Sequence, residues 1–384
     1  MEVYLDNSAT TRCSQRVQEM VLRTMDTGYG NPSSLHKKGI EAETYVKNAA
    51  SKIARTLKVS EREILFTSGG TESNNLALIG AAMANRRAGR RLITTQTEHA
   101  SVLNVMSFLE ESGFEVIYLP VDKDGVVLLD ALREAVNEET ILVSVMQVNN
   151  EIGAIQPVEQ AAAAVHERNP KALFHTDAVQ SYGKMQIRPK KMGIDLLSVS
   201  AHKIHGPKGA GFLYVKDTAK IKPQILGGGQ QSGMRSGTLN VPGIAGMGEA
   251  AAEAYEDFET KIEHLYSLKE RFLAQAAKIE GITVNGKAGR ESAPHIVNIA
   301  VSGVRSEVLL HALEDHGVYV SAGSACSSNK RTASHTLQAI HLDQQLLDSA
   351  VRFSFCADTS LADIDYAAAK LAETVPVLRR YARR

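Results

Sequence analysis

Short apolar runs alternate with longer amphipathic stretches through the first two thirds of the chain. Each run is rich in Val, Ile, Leu, Phe or Thr and is followed by a turn, which is typical of buried strands. Seven runs are predicted as strands: EILFT (63–67), RLITTQ (91–96), EVIYLPV (115–121), TILVSVMQV (140–148), ALFHTDA (172–178), LLSVS (196–200) and GFLYV (211–215). Because helical segments separate most of them, the pattern predicts an α/β fold with a mostly parallel seven-stranded sheet.

The pattern changes near residue 250, where a long, charge-rich helical segment begins. After it, three runs are predicted as strands: HIVNIAVSG (295–303), VYVSAGSAC (318–326) and VRFSF (351–355). Helices are predicted between them and from about Leu361. We therefore predict a large domain over 12–255 and a smaller α+β domain over 256–384, which includes the N-terminal arm, 1–11, and carries the Cys326 loop.

Composition excludes several classes of protein. The 384 residues include 43 basic and 43 acidic side chains, and this balance argues against a nucleic-acid-binding surface. Uninterrupted apolar runs fall short of the roughly 20 residues that a membrane span needs. The N-terminus, MEVYLDNSATT, lacks the features of a signal peptide. We expect a cytoplasmic protein that binds neither nucleic acid nor membranes.

Three cysteines, Cys13, Cys326 and Cys356, are too few for a disulfide scaffold and fit a reducing compartment. No Cys-x-x-Cys pair occurs, so we expect no metal site. Cys326 lies among small polar residues in SAGSACSSNK, as expected of an exposed, reactive thiol. The alternative is a buried, inert thiol.

Two predicted strands end in segments suited to a charged ligand. FTSGGTESNN (66–75) combines a glycine turn with a helix start, where backbone N–H groups can bind phosphate. An ordinary N-cap by Thr71 is the alternative. HTDAVQS (175–181) places Asp177 at a strand end, where a carboxylate could pair with a cationic ring nitrogen or cap the next helix.

Three further strand ends carry polar side chains. His99, in TEHASV, could stack on a flat ligand or move protons, although a single histidine is often structural. Asn150, in VNNEIG, could donate to a ligand oxygen or shape the turn. Lys203 lies in SAHKIHGPKG, between two predicted strands and near several glycines. It is either a solvated lysine in a hairpin or an amine that forms a Schiff base.

Taken together, these residues favour one cofactor. Pyridoxal phosphate requires a Schiff-base lysine, an acid beside its pyridine nitrogen and an anion cradle. The nucleotide loops GxxxxGK[ST] and strand-linked GxGxxG are absent. The phosphate is therefore expected to belong to something other than ATP or NAD.

The order of motifs resembles the NifS/IscS-type cysteine desulfurases, which are class V, fold-type I pyridoxal-phosphate enzymes. The similarity extends from Tyr4 into the last helix. Within the family, the chain resembles the branch that has the longer catalytic-cysteine loop. The matching motifs are YLDNSATT (4–11), GNPSSLH (30–36), TSGGTESNN (67–75), EHASV (98–102), VNNEIG (148–153), DAVQS (177–181), SAHKIHGPKG (200–209), GGGQQSGMRSGT (227–238) and SAGSAC (321–326).

The resemblance implies how the cofactor is held. Lys203 carries it, Asp177 pairs with the pyridine nitrogen, and His99 stacks on the ring and takes part in catalysis. Asn150 and Gln180 hold the side of the ring that bears the phenolic oxygen. The implied phosphate ligands are Gly70, Thr71, Ser200, His202 and, from a neighbouring subunit, Thr238, so the resemblance also implies a homodimer.

The resemblance further implies the reaction. Arg352, with Asn150, binds the substrate L-cysteine, and Cys326 is the nucleophile that takes the sulfur as a persulfide while alanine is released. The sulfur then passes to an acceptor protein for iron–sulfur cluster, thiolated tRNA or thio-cofactor synthesis. Lys330 and Arg331 reverse the charge that relatives often carry after this cysteine, which leaves the acceptor open.

Other functions remain open from the sequence. A selenocysteine lyase or an aminotransferase could use the same fold, because fold does not fix the reaction. A non-catalytic sulfur-relay scaffold is a further alternative. Cys326 separates desulfuration from transamination, which has no use for a nucleophilic thiol.

Overall fold

The structure, a computed structural model, describes residues 1–322 and 334–382. Its strands are β1 (Val3–Tyr4), β2 (Ile64–Thr67), β3 (Arg91–Thr95), β4 (Glu115–Leu119), β5 (Thr140–Ser144), β6 (Leu173–Asp177), β7 (Leu196–Ser200), β8 (Gly211–Val215), β9 (Ile282–Val284), β10 (Ile296–Val301), β11 (Val318–Tyr319), β12 (Ser321–Ala322) and β13 (Ala350–Ser354).

The helices lie between and after these strands. They are α1 (Gln15–Asp26), α2 (Lys37–Leu57), α3 (Gly70–Asn85), α4 (Ala100–Glu111), α5 (Leu129–Ala135), α6 (Val158–Arg168), α7 (Pro189–Met192), α8 (Val241–Tyr255), α9 (Phe258–Ala276), α10 (Ser306–Glu314), α11 (His335–Ala339), α12 (Gln344–Leu347) and α13 (Leu361–Ala382). Short 3-10 turns cover Glu61–Glu63, Ala201–Lys203 and Gln231–Gly233.

Seven strands form one large sheet, in the order β2-β8-β7-β6-β5-β3-β4. Strand β8 runs antiparallel to both of its neighbours, and the remaining pairs are parallel. The predicted α/β fold with a mostly parallel seven-stranded sheet is confirmed. Neighbouring residues of β5 enter different apolar clusters, Leu142 on one face and Val143 on the other, so helices cover both faces.

A smaller, antiparallel sheet has the order β12-β13-β10-β9. Helices α9 and α13 pack on it, and their side chains share an apolar cluster with Val351 and Phe353 of β13. Val3 and Leu5 of the N-terminal arm belong to the same cluster, because β1 pairs with β11.

The run 318–326, predicted as one strand, is divided in its described part. Residues of β11 pair with the N-terminal arm, whereas those of β12 pair with β13, and Val320 lies between them. Cys326, Lys330 and Arg331 fall outside the described residues. Among the helices that the structure describes, none combines the length and apolar character needed to cross a membrane.

Candidate active site

A cavity of about 360 Å³ lies where several strands of the large sheet end. Residues that follow β2, β3, β6 and β7 line it, because parallel strands direct their carboxyl ends to one edge. The predicted site residues on its lining are Gly70, Thr71, His99, Asn150, Asp177, Gln180, Ser200, His202, Lys203 and Arg352. Thr238 is exposed and is not part of this lining, as far as the described residues form it.

Lys203 ends the 3-10 turn that follows β7. Its Nζ donates hydrogen bonds to the carbonyl oxygens of Ser8, at 2.5 Å, and Ala9, at 2.7 Å. The Lys184 amine donates to the carbonyl oxygen of Lys203 at 2.8 Å. Burial, with the charge of Lys203 adding to it, lowers the pKa of Lys184 to about 8. Lys203 is therefore held between the N-terminal arm and the large sheet.

Asp177 ends β6 with its carboxylate fixed at both oxygens. Oδ1 accepts from the backbone N–H of Val179 at 2.9 Å, and Oδ2 accepts from the amide of Asn74 at 2.8 Å. The same Asn74 amide donates to Ser101 Oγ at 2.8 Å, so α3 and α4 are linked through it. Asp177 is only 4% exposed, and the two donors offset the cost of burying its carboxylate.

His99 caps the start of α4. Its Nδ1 accepts the N–H of Ser101 at 3.1 Å, so a neutral ring carries its proton on Nε2. Burial lowers the pKa of His99, Lys203 and His335 lower it further, and Asp177 opposes them. The result is a neutral imidazole with a donor to present to the cavity.

The end of the cavity at the start of α3 is suited to bind an anion. Helix α3 begins at Gly70, and within the described part of the chain no side chain caps it at Gly69. A Cβ on Gly70 would lie 2.8 Å from Val179 Cγ2, so glycine lets this turn approach its neighbour. Ser200 and His202 face the same space. Burial, with Lys203 next, lowers the pKa of His202 to about 4, which keeps its ring neutral.

Arg352 reaches the cavity from β13 of the smaller sheet. Its Nη2 donates to Asp6 Oδ1 at 2.7 Å and its Nη1 to the carbonyl oxygen of Asn150 at 2.8 Å. The buried Nε finds no hydrogen-bond partner among the described residues. An arginine held in this way keeps a donor for a small carboxylate.

Several lining residues were missed by the sequence analysis: Asp6, Ser8, Asn74 and Ser101. Asn74 could have been found, because it lies one helical turn after Thr71. Glu98 was also missed. It is fully buried beside the site, and burial, with Asp177 adding to it, raises its pKa to about 8. Its Oε1 accepts the N–H of Met146 at 2.6 Å.

Comparison with known families agrees with this geometry. Residues 3–367 match the model of the family described as Aminotransferase class-V. A protein of Vibrio atlanticus named cysteine desulfurase IscS is 44% identical over 384 residues, which cover 99% of this chain and 94% of the relative. The chain belongs to the NifS/IscS-type cysteine desulfurase family. This confirms the resemblance drawn from the motifs.

Two solved structures superpose on nearly the whole chain. A structure described as a NifS-like protein is 39% identical with a TM-score of 0.93, covering 98% of this chain and all of that one. A structure described as SspA in complex with cysteine is 33% identical with a TM-score of 0.79, covering 93% of this chain and all of that one.

Proposed function

We propose that the protein is a pyridoxal-phosphate-dependent cysteine desulfurase that moves sulfur from L-cysteine to Cys326 and releases L-alanine. The observation that carries the proposal is the single cavity lined by Lys203, Asp177, His99 and the start of α3. A primary amine, a carboxylate and a helix N-terminus are the groups that this cofactor requires, and the imidazole can stack on its ring. Membership of the desulfurase family supports the same reaction.

The residues present fit pyridoxal phosphate at each of its polar ends. Lys203 would hold the aldehyde end, Asp177 the ring nitrogen, and Gly70, Thr71, Ser200 and His202 the phosphate. The uncapped start of α3 supplies backbone donors for a dianion. Bound there, the cofactor would supply an electron sink for breaking bonds next to the substrate's α-carbon.

The chain's own groups would bind the substrate and move its protons. We propose that the guanidinium of Arg352 holds the substrate carboxylate, with Asn150 beside it, while Gln180 and His99 border the ring. The Lys203 amine would carry a proton from and to the substrate's carbon atoms. The buried, neutral imidazoles of His99 and His202 add no charge to the cavity, which Asp6, Asp177, Lys203 and Arg352 also line.

Sulfur transfer itself is assigned to Cys326. Its thiolate would attack the substrate sulfur, so an S–S bond forms as the substrate's carbon–sulfur bond breaks, and the carbon takes a proton to become the methyl group of alanine. A persulfide remains on Cys326 for an acceptor protein, such as an iron–sulfur scaffold, a tRNA-thiolation enzyme or a protein of thio-cofactor synthesis.

We further propose a cytoplasmic homodimer. Large apolar side chains stand exposed on α1, on α2 and between them, and a second copy would bury them. They are Leu22, Met25, Tyr29, Leu35 and Ile40. Thr238, which is exposed, would reach the phosphate of the other copy.

We also propose the division into a large domain, 12–255, and a small domain, 256–384 with arm 1–11, since separate apolar clusters fill the two parts.

Mass spectrometry after one addition of L-cysteine, with a chelator present, tests the proposal. We expect a gain of about 32 Da on the Cys326 peptide of the wild-type protein. Cys326→Ser should bind the cofactor and give no adduct, whereas the matched Cys13→Ser should give the wild-type adduct. An adduct on Cys13 or Cys356, or sustained alanine production by Cys326→Ser, would refute the assignment.

A further inference from the structure

Lys203 also lines a smaller cavity, of about 140 Å³. This cavity lies where the turn after β7 meets the segment that follows β13. Three side chains of unlike chemistry meet on its wall: the imidazole of His205, the thiol of Cys356 and the carboxylate of Asp358. Nothing in the desulfurase mechanism requires them.

The three potential ligand atoms are close together. A ring nitrogen of His205, Sγ of Cys356 and a carboxylate oxygen of Asp358 all lie within 4.8 Å of one another. Zinc binds nitrogen, sulfur and oxygen at about 2.0–2.3 Å, which places tetrahedral ligands roughly 3.3–3.8 Å apart. Small side-chain adjustments would bring the cluster to that spacing.

His205 is already held in the way that metal-binding histidines are. Its Nδ1 lies 3.0 Å from the carbonyl oxygen of Arg12 and donates to it, which leaves the lone pair on Nε2. The backbone N–H of His205 donates to Thr11 Oγ1 at 2.7 Å, and φ is +62° in the left-handed region. A non-glycine residue keeps this conformation only where surrounding contacts impose it.

The lysines around the cluster repel a divalent ion, so two of the ligands of that ion must be anionic. Lys184, Lys203 and Lys261 line the cavity together with Glu253. Zinc binds cysteine as the thiolate, so coordination of the ion would release the proton of the Cys356 thiol. A thiolate and the Asp358 carboxylate together neutralise a 2+ ion, which limits its repulsion with the lysines.

We propose that His205 Nε2, Cys356 Sγ and the Asp358 carboxylate bind a zinc-like divalent cation, with water completing the coordination. His205 lies two residues after Lys203, and Cys356 lies four residues after Arg352. The ion therefore connects the turn that bears the cofactor lysine to the segment after the strand that bears the predicted substrate arginine. The sequence alone predicted no metal site, because these ligands are brought together only by the fold.

Equilibrium dialysis of the metal-stripped holoenzyme against Zn²⁺ tests the site, without any cysteine present. The background variant is Cys326→Ser, so that the predicted nucleophile cannot bind the ion. We expect one zinc per chain, with one sulfur ligand by X-ray absorption. Adding Cys356→Ala should abolish tight binding, whereas the matched addition of Cys13→Ala should leave it unchanged.

Asp358→Asn provides a test that does not disturb a buried position, because Asp358 is exposed. It should weaken zinc binding at least tenfold, on the scale of changes seen around metal sites. Unchanged binding in both Cys356→Ala and Asp358→Asn, a zinc site without sulfur, or only adventitious zinc in the background protein would overturn the proposal. Because binding is measured without turnover, these outcomes are independent of the desulfurase assignment.

Discussion

The two sheets deliver side chains to the cavity in different ways. The seven-stranded sheet uses the loops beyond its strands, where Asp177 and Lys203 lie at or just after strand ends. The four-stranded sheet uses the middle of β13: Val351 and Phe353 enter the apolar cluster, and Arg352 between them lines the cavity. The parallel strands bring several polar side chains together at one edge of their sheet. Along the antiparallel strand β13, side chains alternate between the two faces, so only Arg352 of these three residues faces the cavity.

This difference predicts a division of labour. Side chains at the strand ends of the large sheet should control the chemical steps, and Arg352 of the smaller sheet should control substrate affinity. Substitutions in the two regions should therefore change different kinetic constants.

The largest effect is expected for Lys203→Ala. The variant should form no alanine, and borohydride should no longer attach the cofactor to the chain, because the proposed attachment amine is gone. The matched control is Lys208→Ala, an exposed lysine of the loop between β7 and β8, which should behave as the wild type. Normal alanine release by Lys203→Ala would contradict the prediction that side chains at the strand ends of the large sheet control the chemical steps.

Arg352→Gln should mainly weaken substrate binding. Loss of hydrogen bonds between ionised groups, about 1.5–3 kcal/mol, should raise the KM for L-cysteine about ten- to a hundredfold. Steady-state kinetics should show a smaller change in kcat. Arg305→Gln, at an exposed arginine, is the control. If Arg352→Gln instead lowered kcat and left KM unchanged, the two sheets would not differ in the kinetic constants that they control.

Buried His175 should make stability depend on pH. It lies in β6 between Ser144 and Ser198, and burial lowers its pKa to about 3. Below about pH 6.5 the unfolded chain takes up a proton that the folded chain does not, so stability falls as pH falls from about 6.5 towards 3. Between pH 7.5 and 5.0 this costs about 2 kcal/mol.

Urea unfolding at pH 7.5 and 5.0 measures that cost. The pH-dependent loss should shrink by about 2 kcal/mol in His175→Gln. It should stay at the wild-type value in His316→Gln, where the side chain is exposed. An equal pH-dependent loss in wild type and His175→Gln would contradict a neutral, buried ring.

The smallest effect is expected for Asn74→Ala, which removes a donor to Asp177 without touching its charge. As a positioning change, it should slow exchange of the substrate α-proton with solvent about tenfold. Asn75→Ala is the matched control, because that amide is exposed and donates to the carbonyl oxygen of Thr71 on the same helix. Equal exchange rates in the two variants would leave Asn74 without this role.

Much of this organisation could be predicted because it depends on local patterns. Strand runs gave the seven-stranded sheet, and motifs such as HTDAVQS located the strand ends. Contacts between distant segments could not be predicted in the same way. Asp6 with Arg352 and Ser8 with Lys203 depend on how the N-terminal arm crosses the fold, which no local pattern encodes.

Burial was the other missing quantity. Glu98 is the residue before His99 in TEHASV, and the sequence gives no sign that it is fully buried next to Asp177. The cluster of His205, Cys356 and Asp358 could not be predicted either, because about 150 residues of chain separate His205 from the other two. Strand periodicity reports which residues face a core, but not which polar groups are enclosed with each other.

The ion pair of Asp6 with Arg352 joins positions 346 residues apart. On the ribosome, at about 5–20 residues per second, roughly 17–70 seconds separate the synthesis of these two residues. The large sheet is complete in the nascent chain by Val215, long before that. The N-terminal arm therefore has no partner at position 352 during that time, and the finished cavity forms only after Arg352 has been synthesised.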